Sequence, residues 1–367
     1  MQTPKIKDVT AYLESIAPRF YQESYDNSGL LTGDENREVK GILVTLDCTE
    51  AVVEEAISLQ CNLIIAHHPI IFRGLKKLTG SNYVERTVIK SVKHDVAIYT
   101  AHTNLDNVME GVNRKIAEKI ELKNTRILLP KKETLSKLVS FIPDNHLEAV
   151  VNALYEAGAG QVGKYKNCSF QIQGTGTFQP ATDATPFIGS PGKYEEVQET
   201  RVEVIFPSYR EGILLNALRK NHPYEEVAYY VTRVTNENQE IGSGLIGELE
   251  HAEEPIAFLE RLKIQMNTPV IRYTHPIQKQ IKNVAVCGGA GSFLIAEAIN
   301  KGADVLISAD FKYHEFFDAE GKIVIADVGH YESEQFTKDL FFEVLSKRFP
   351  TFAINFSKTV TNPISYL

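Results

Sequence analysis

An α/β fold with a second domain inserted into it is what this sequence predicts, on three observations. Up to about residue 128, short β-branched and apolar runs (KGILVTLD, CNLIIAHHPIIF and DVAIYTAHTNLD) alternate with helical periods. The middle of the chain then changes to a different order of elements. Afterwards the first pattern resumes in KNVAVCGG, ADVLISAD and KIVIADVGH. Continuous apolar runs of this length read as parallel strands buried on both faces. Helices covering both faces give a three-layer α/β/α core.

Taken in order, Val9, Leu13 and Ile16 recur at helical spacing with charges between them, unlike the continuous apolar centre of a signal peptide. The strand Leu63 to Ala66 runs directly into His67, His68 and Pro69, and a second strand, Val96 to Ala101, ends in His102 with Asp106 four residues on. In the middle segment, LVSFI is followed by a helix with Leu147, Val150, Val151 and Leu154 on one face and then by the strand CSFQIQGTGTF. TDATPFIGSPGKYEE, rich in turn formers, reads as a loop. RVEVIF, a helix carrying Ile213, Leu214, Ala217 and Leu218, and EVAYYVTRV complete a β-α-β-β-α-β order. That order predicts a ferredoxin-like unit, one four-stranded sheet with two helices on one face and an open face that needs a partner. The expected domains are residues 1–129 and 238–367 for the core and 130–237 for the insert. In the last part a third strand, Ile323 to Val328, passes through Gly329 to His330, with Glu334 four residues later. Phe336, Leu340 and Val344 continue at helical spacing, so His330 and Glu334 share one face near a helix start.

Composition narrows the function. The 367 residues exceed what a single core usually serves. With 43% hydrophobic and 23% charged residues the chain is an ordinary globular one. A net charge of -8 and no Lys/Arg-rich run argue against nucleic acid as a partner. Cys48, Cys61, Cys168 and Cys287 form no C-x-x-C pair, so neither a zinc knuckle nor a disulfide framework is indicated, and a reducing compartment fits. No segment approaches the ~18 uninterrupted apolar residues of a membrane span. A cytoplasmic protein is expected.

The chemistry concentrates at the strand ends. Neighbouring residues on a strand point to opposite faces, so His67 and His68 can meet one site only where the strand stops and the chain turns. Pro69 supplies such an end by restricting His68 to extended conformations. A single histidine there more often caps a strand or hydrogen-bonds in the core. Three apolar strands each finishing in metal-capable side chains point instead to a metal site, because ligand sites in open α/β sheets lie beyond the strands' carboxyl ends. Imidazole suits zinc, iron, manganese, cobalt or nickel, and a carboxylate can bridge two ions, so the set fits a two-metal hydrolytic centre. With Asp106 and Glu334 its only anionic ligands, such a centre keeps a net positive charge, which favours an anionic substrate.

Other features are secondary. CGGAGS, residues 287–292, follows a strand and could present backbone N–H groups to a phosphate, or simply make a tight turn. Asp310 and His314 are candidate pocket residues. Asp26 and Asn27 in YDNSGL read as turn formers. His222 and Tyr224 in HPYEEV read as interface or turn residues of the insert.

YDNSGLLTG, AHHPIIF, YTAHTNLD, VAVCGGAGS, SADFKYHE and DVGHYESE together resemble the Ngg-interacting-factor-three-like family, whose bacterial members are called GTP cyclohydrolase 1 type 2 homologs. The resemblance implies a dinuclear metal centre with His67, His68, Asp106, His330 and Glu334 as ligands and Glu334 as the bridging carboxylate. His102 matches the histidine preceding the aspartate, a ligand, a partner behind the ligands or a proton donor. The resemblance also implies a toroidal homohexamer with its metal sites facing an internal cavity. Residues 130–237 resemble the trimer-forming CutA- and PII-like proteins. The sequence lacks the Cys/His zinc signature of the ordinary GTP cyclohydrolase type.

Two functions follow. One is a metal-dependent hydrolase acting on an anionic or nucleotide-like substrate at a C–N, amide or phosphoester centre, with His102 transferring the proton. The other is a non-enzymatic metal-binding regulatory or scaffold oligomer whose insert senses a small molecule or docks a partner.

Overall fold

The computed structural model describes residues 3–276 and 279–367. The chain divides into two compact units, residues 1–130 with 239–367, and residues 131–238.

The first unit opens with α1 (Ile6–Ile16), whose buried Ile6, Val9 and Leu13 lie on one face. β1 (Gly29–Thr32), β2 (Ile42–Thr45), α2 (Glu50–Ser58), β3 (Leu63–Ala66), α3 (Tyr83–Lys93) and β4 (Ala97–Thr100) follow. Thr49 and Asn82 cap α2 and α3 by accepting the N–H of Val52 and Glu85, which satisfies amides that have no partner inside a helix. Then come α4 (Thr103–Asp106), α5 (Val112–Lys119) and β5 (Lys123–Pro130).

The second unit holds β6 (Leu135–Pro143), α6 (Leu147–Glu156), β7 (Phe170–Phe178), β8 (Glu195–Pro207), α7 (Glu211–Asn221) and β9 (Tyr229–Val234). Its sheet is antiparallel throughout, in the order β7-β8-β6-β9. Leu138, Val202, Val204 and Phe206 pack on one face against Val150, Leu154, Leu214 and Leu218 of the two helices. Ile213, on the helical face read from the sequence, is exposed. On the opposite sheet face, where Val139 lies across from Tyr230 and Glu203, and Glu203 across from Phe170, the aromatic rings of Phe170 and Tyr230 are exposed.

The chain returns to the first unit with β10 (Gly242–Glu253), α8 (Pro255–Gln265), β11 (Arg272–Tyr273), β12 (Ile281–Ala290), α9 (Ile295–Asn300), β13 (Val305–Ala309), β14 (Val324–Asp327), α10 (His330–Glu334), α11 (Thr337–Arg348) and β15 (Ile354–Phe356). β10 pairs antiparallel with β5, Pro130 opposite Gly242, so residues 131–238 occupy the position of a hairpin loop.

Mixed α/β character is thus present, distributed over two sheets of the first unit, in the orders β1-β4-β3-β2-β15 and β11-β14-β13-β12-β10-β5. β2, β3 and β4 are mutually parallel, as are β12, β13 and β14, and every residue of β2, β3, β4, β13 and β14 is buried, which is why they read as unbroken apolar runs. Val52, Val53 and Ala56 of α2 and Val88 of α3 cover Leu43, Ile64 and Ile98 of the first sheet. Ile295 and Ala298 of α9 cover Ala285, Leu306 and Ile325 of the second. α11 packs on β2 and β15, α5 and α10 pack on β12, and α5 meets α11, so these helices lie between the two sheets. The strands that end in candidate ligands belong to different sheets: β3 and β4 to one, β14 to the other.

Candidate metal centre

At the end of β3 the backbone N–H groups of both His67 and His68 donate to the Leu46 carbonyl, 3.0 Å each, just beyond β2. This is the strand-end turn that lets adjacent imidazoles reach one place. His67 is fully buried. Its Nδ1 donates to the Ala101 carbonyl at 2.8 Å, which fixes the tautomer and leaves a bare lone pair on Nε2. That Nε2 lies 3.6 Å from Asp106 Oδ1 and 3.6 Å from Glu334 Oε1, too far for hydrogen bonds. His67 Nε2 and Asp106 Oδ1 are buried with no hydrogen-bond partner, a costly condition that a cation between them removes.

The other imidazoles are tied in the same way. His68 Nδ1 donates to Asp47 at 2.7 Å, His330 Nδ1 to Asp310 at 2.6 Å, and His102 Nδ1 to Asp26 at 2.8 Å. Each ring thus turns its Nε2 away from the carboxylate behind it and toward the centre, with that acceptor orienting the ring. Nε2 of His68 and Nε2 of His330 approach within 3.3 Å, and both lie against Glu334 Oε2, at 2.8 and 3.1 Å.

The two oxygens of Glu334 thus serve two groups. Oε1 faces His67 and Asp106, and Oε2 faces His68 and His330; both triads have the compactness of a metal site. Glu334 reaches this position because His330–Glu334 forms a short helix of its own, separated from α11, which sets the two side chains four residues apart on one face. His67, His68 and His102 form a third compact group.

The protonation pattern carries the mark of missing positive charge. Burial opposes a charge on His68, yet hydrogen bonds to Asp47 and Glu334 and their charges push it up to about 10. Burial likewise opposes a charge on His330, which Asp310 and Glu334 push up to about 11. Burial and the charge of Glu334 raise Asp106 to about 8. Glu334 itself, despite its burial, is held well below the ordinary carboxylate range by the hydrogen bonds of His330 and His68. Protons thus gather where divalent ions would supply the same charge.

The five residues read from the strand ends, His67, His68, Asp106, His330 and Glu334, lie together, with His102 beside them, its ring 5.3 Å from that of His67. Asp26 and Asp310, secondary in the sequence, stand behind His102 and His330; Asn27 is tied to the Ile71 carbonyl at 2.6 Å. His314 is exposed, against Tyr313 and Phe317. Sequence reasoning missed Asp47, although its signal was present, since it closes the run ILVTLD as the histidines close theirs. The Ala101 carbonyl carries no side-chain signal at all. In CGGAGS two of the amides are already used inside the chain: Gly288 N–H donates to Asn113 Oδ1 and Gly289 N–H to Ser333 Oγ, both at 2.9 Å. Gly289, with φ +63°, passes so close to the centre that a Cβ there would stand 2.6 Å from Glu334 Oε1. In the second unit, His222 Nε2 donates to the Phe141 carbonyl and its Nδ1 accepts the Tyr224 N–H, so these two residues build a turn far from any of the groups above in sequence.

The model of the family described as Duf34/NIF3 (NGG1p interacting factor 3) matches residues 4–363. The chain belongs to the Duf34/NIF3 family. A relative from Bacillus subtilis (strain 168) called GTP cyclohydrolase 1 type 2 homolog is 38% identical, over 98% of each chain. One of the same name from Halalkalibacterium halodurans is 40% identical over 88% of this chain and 87% of its own. Among solved structures, a Bacillus cereus protein related to NIF3 aligns over 100% of both chains with a TM-score of 0.86 and 36% identity. The Duf34/NIF3 motifs AHHPIIF, YTAHTNLD and DVGHYESE are the segments that carry the clustered imidazoles and carboxylates.

Proposed function

We propose that this protein holds two divalent metal ions, with His67, His68, Asp106, His330 and Glu334 as ligands, and hydrolyses an anionic or nucleotide-like substrate. The observation that carries the reading is the division of Glu334, one oxygen toward His67 and Asp106 and the other toward His68 and His330. Zinc, iron, manganese, cobalt and nickel all suit this mixture of imidazole and carboxylate. Such ions, when bound, supply Lewis acidity and lower the pKa of water. His102 is the proton-transfer residue: Asp26 holds its Nδ1 proton, so Nε2 is the atom that accepts and returns a proton beside the centre.

Asp26, Asp47 and Asp310 stand directly behind the ring nitrogens, and their charges turn the net positive centre counted from the ligands into a slightly negative one. Support for an anionic substrate rests instead on direct bonding of its oxygens to the ions and on the exposed Arg73, Lys76 and Lys77 in the segment after His68.

A second reading, a non-enzymatic metal-binding regulatory or scaffold oligomer, draws on the exposed Phe170 and Tyr230 of the inserted sheet. The strand order of that unit supports a ferredoxin-like, CutA/PII-like insert spanning about residues 130–237. A toroidal homohexamer and a cytoplasmic location complete the proposal; the four free cysteines fit a reducing compartment, and among the described residues no helix is long and apolar enough to cross a membrane. Metal analysis of protein purified without added metal, followed by turnover assays on nucleotide and phosphoester panels, separates the two readings. Metal-dependent turnover is expected; metal-loaded protein inert on every substrate favours the second.

A further inference from the structure

The inserted unit contains a half-open cavity of about 660 Å³ that the metal chemistry does not use. Its floor is the open face of the sheet where β7 pairs with β8, and its walls include Phe141, Ile172, Phe178, Phe187 and Tyr224. Cavities of about 300–1,000 Å³ with mainly apolar walls and a few placed polar groups are the size and kind that enclose small organic molecules.

Two features make this a built depression. β7 carries glycines at 174 and 176, in the middle of a regular antiparallel ladder where glycine weakens a strand unless something must approach the backbone closely. At Gly176 the approaching group is Glu199, whose Oε2 would stand 2.0 Å from a Cβ. At Gly174, directly across from Glu199, a Cβ would meet nothing within 4 Å, so the missing side chain leaves open space on the cavity floor.

Glu199 is the polar group of that floor. It is only 8% exposed, and Tyr224 OH donates to its Oε1 at 2.7 Å. Among the described residues no donor reaches Oε2. Tyr224 is itself fixed by the His222 turn and by ring contacts with Phe178 and Phe187. Glu225 and Glu226 add acidic charge at the wall, whereas Arg201 is already paired with Glu203 at 2.6 Å. An apolar aromatic enclosure with one carboxylate oxygen that is open to the cavity and takes no donor from the protein fits a flat aromatic ring that carries a positive nitrogen.

We propose that the inserted unit is a binding site for a small aromatic cation, its ring enclosed by Phe141, Phe178, Phe187 and Tyr224 and its nitrogen donating to Glu199 Oε2.

The chain contains no Trp, so a change in the fluorescence of an added indole on binding is read without tryptophan emission from the protein. Full-length protein is titrated with tryptamine, with 3-methylindole as its neutral counterpart and indole-3-acetate as its anionic one. Saturable binding is expected in the order tryptamine, 3-methylindole, indole-3-acetate. Glu199→Gln should weaken tryptamine about tenfold or more and leave 3-methylindole nearly unchanged. Gly174→Val, which puts a good strand former into open space and so preserves the fold, should abolish binding of both. Failure of all three probes to saturate, equal binding of the anionic probe, or tryptamine binding insensitive to Gly174→Val overturns the proposal. So does a change of oligomer size in Gly174→Val without any probe binding in the parent protein, which would make this face a contact between copies of the chain.

Discussion

Glu334 is the residue whose loss distinguishes two coupled ion sites from a single one. If each carboxylate oxygen completes a separate triad, Glu334→Ala removes a ligand from both, while His330→Ala removes one from only the Oε2 side. Metal analysis should then find Glu334→Ala nearly free of metal and His330→Ala retaining about half, with both folded, because these side chains sit at strand and helix ends. Retention of half the metal by Glu334→Ala would break the bridging assignment. His102 makes a different prediction. His102→Gln keeps the five ligands and loses the proton-transfer group, so turnover should fall about 10²–10⁴-fold while metal content stays unchanged. Loss of metal in that variant would make His102 a ligand instead, a role its group with His67 and His68 would allow.

At the scale of the element, the start of α3 depends on one carboxylate. Glu85 accepts the N–H groups of Thr79 and Ser81, both their hydroxyls, and Asn82 Nδ2, while Asn82 caps the helix by accepting the Glu85 N–H. Those backbone bonds foremost, then the side-chain ones, lower its pKa to about 2. A carboxylate lowered in the folded state stabilises above its unfolded pKa of about 4.5 and loses that contribution as pH falls toward its folded value. The melting temperature of the parent should therefore drop between about pH 4.5 and pH 2 more steeply than that of Glu85→Gln, which has no charge to lose. Parallel melting curves for the two proteins over that range would remove Glu85 from the account. A helical period between the second and third apolar runs was expected, but this network was not, because five donors on residues 79–82 become partners of one carboxylate only once the loop closes over it.

At the scale of the molecule, the hairpin of β5 and β10 is where the inserted unit is attached. Pro130 lies opposite Gly242 and Leu129 opposite Ser243, so a short turn can replace residues 131–238 without moving either strand. The shortened chain should fold and bind metal like the parent, since all five proposed ligands lie outside the deleted segment, and light scattering should report a smaller assembly. Loss of metal at unchanged assembly size would reject this division of labour. The same molecule separates what was written locally from what was not. That residues 63–66, 97–100 and 324–327 are strands, and that each leads into metal-capable side chains, was legible because a strand buried on both faces must be apolar at every position, and its end is marked where polar residues begin. The family was legible for a related reason, since its motifs are short contiguous runs at those same ends. Sheet membership was not legible: β4 and β14 read alike, yet they lie in different sheets, and β15 from the last part of the chain completes the sheet begun by the first. Nor were the partnerships of Asp26 with His102, Asp47 with His68 and Asp310 with His330, which join residues 76, 21 and 20 positions apart. The apolar pattern of a strand is fixed by its own burial, whereas its neighbour and the group facing its last side chain are fixed by how whole sheets pack, and only the tertiary structure decided those.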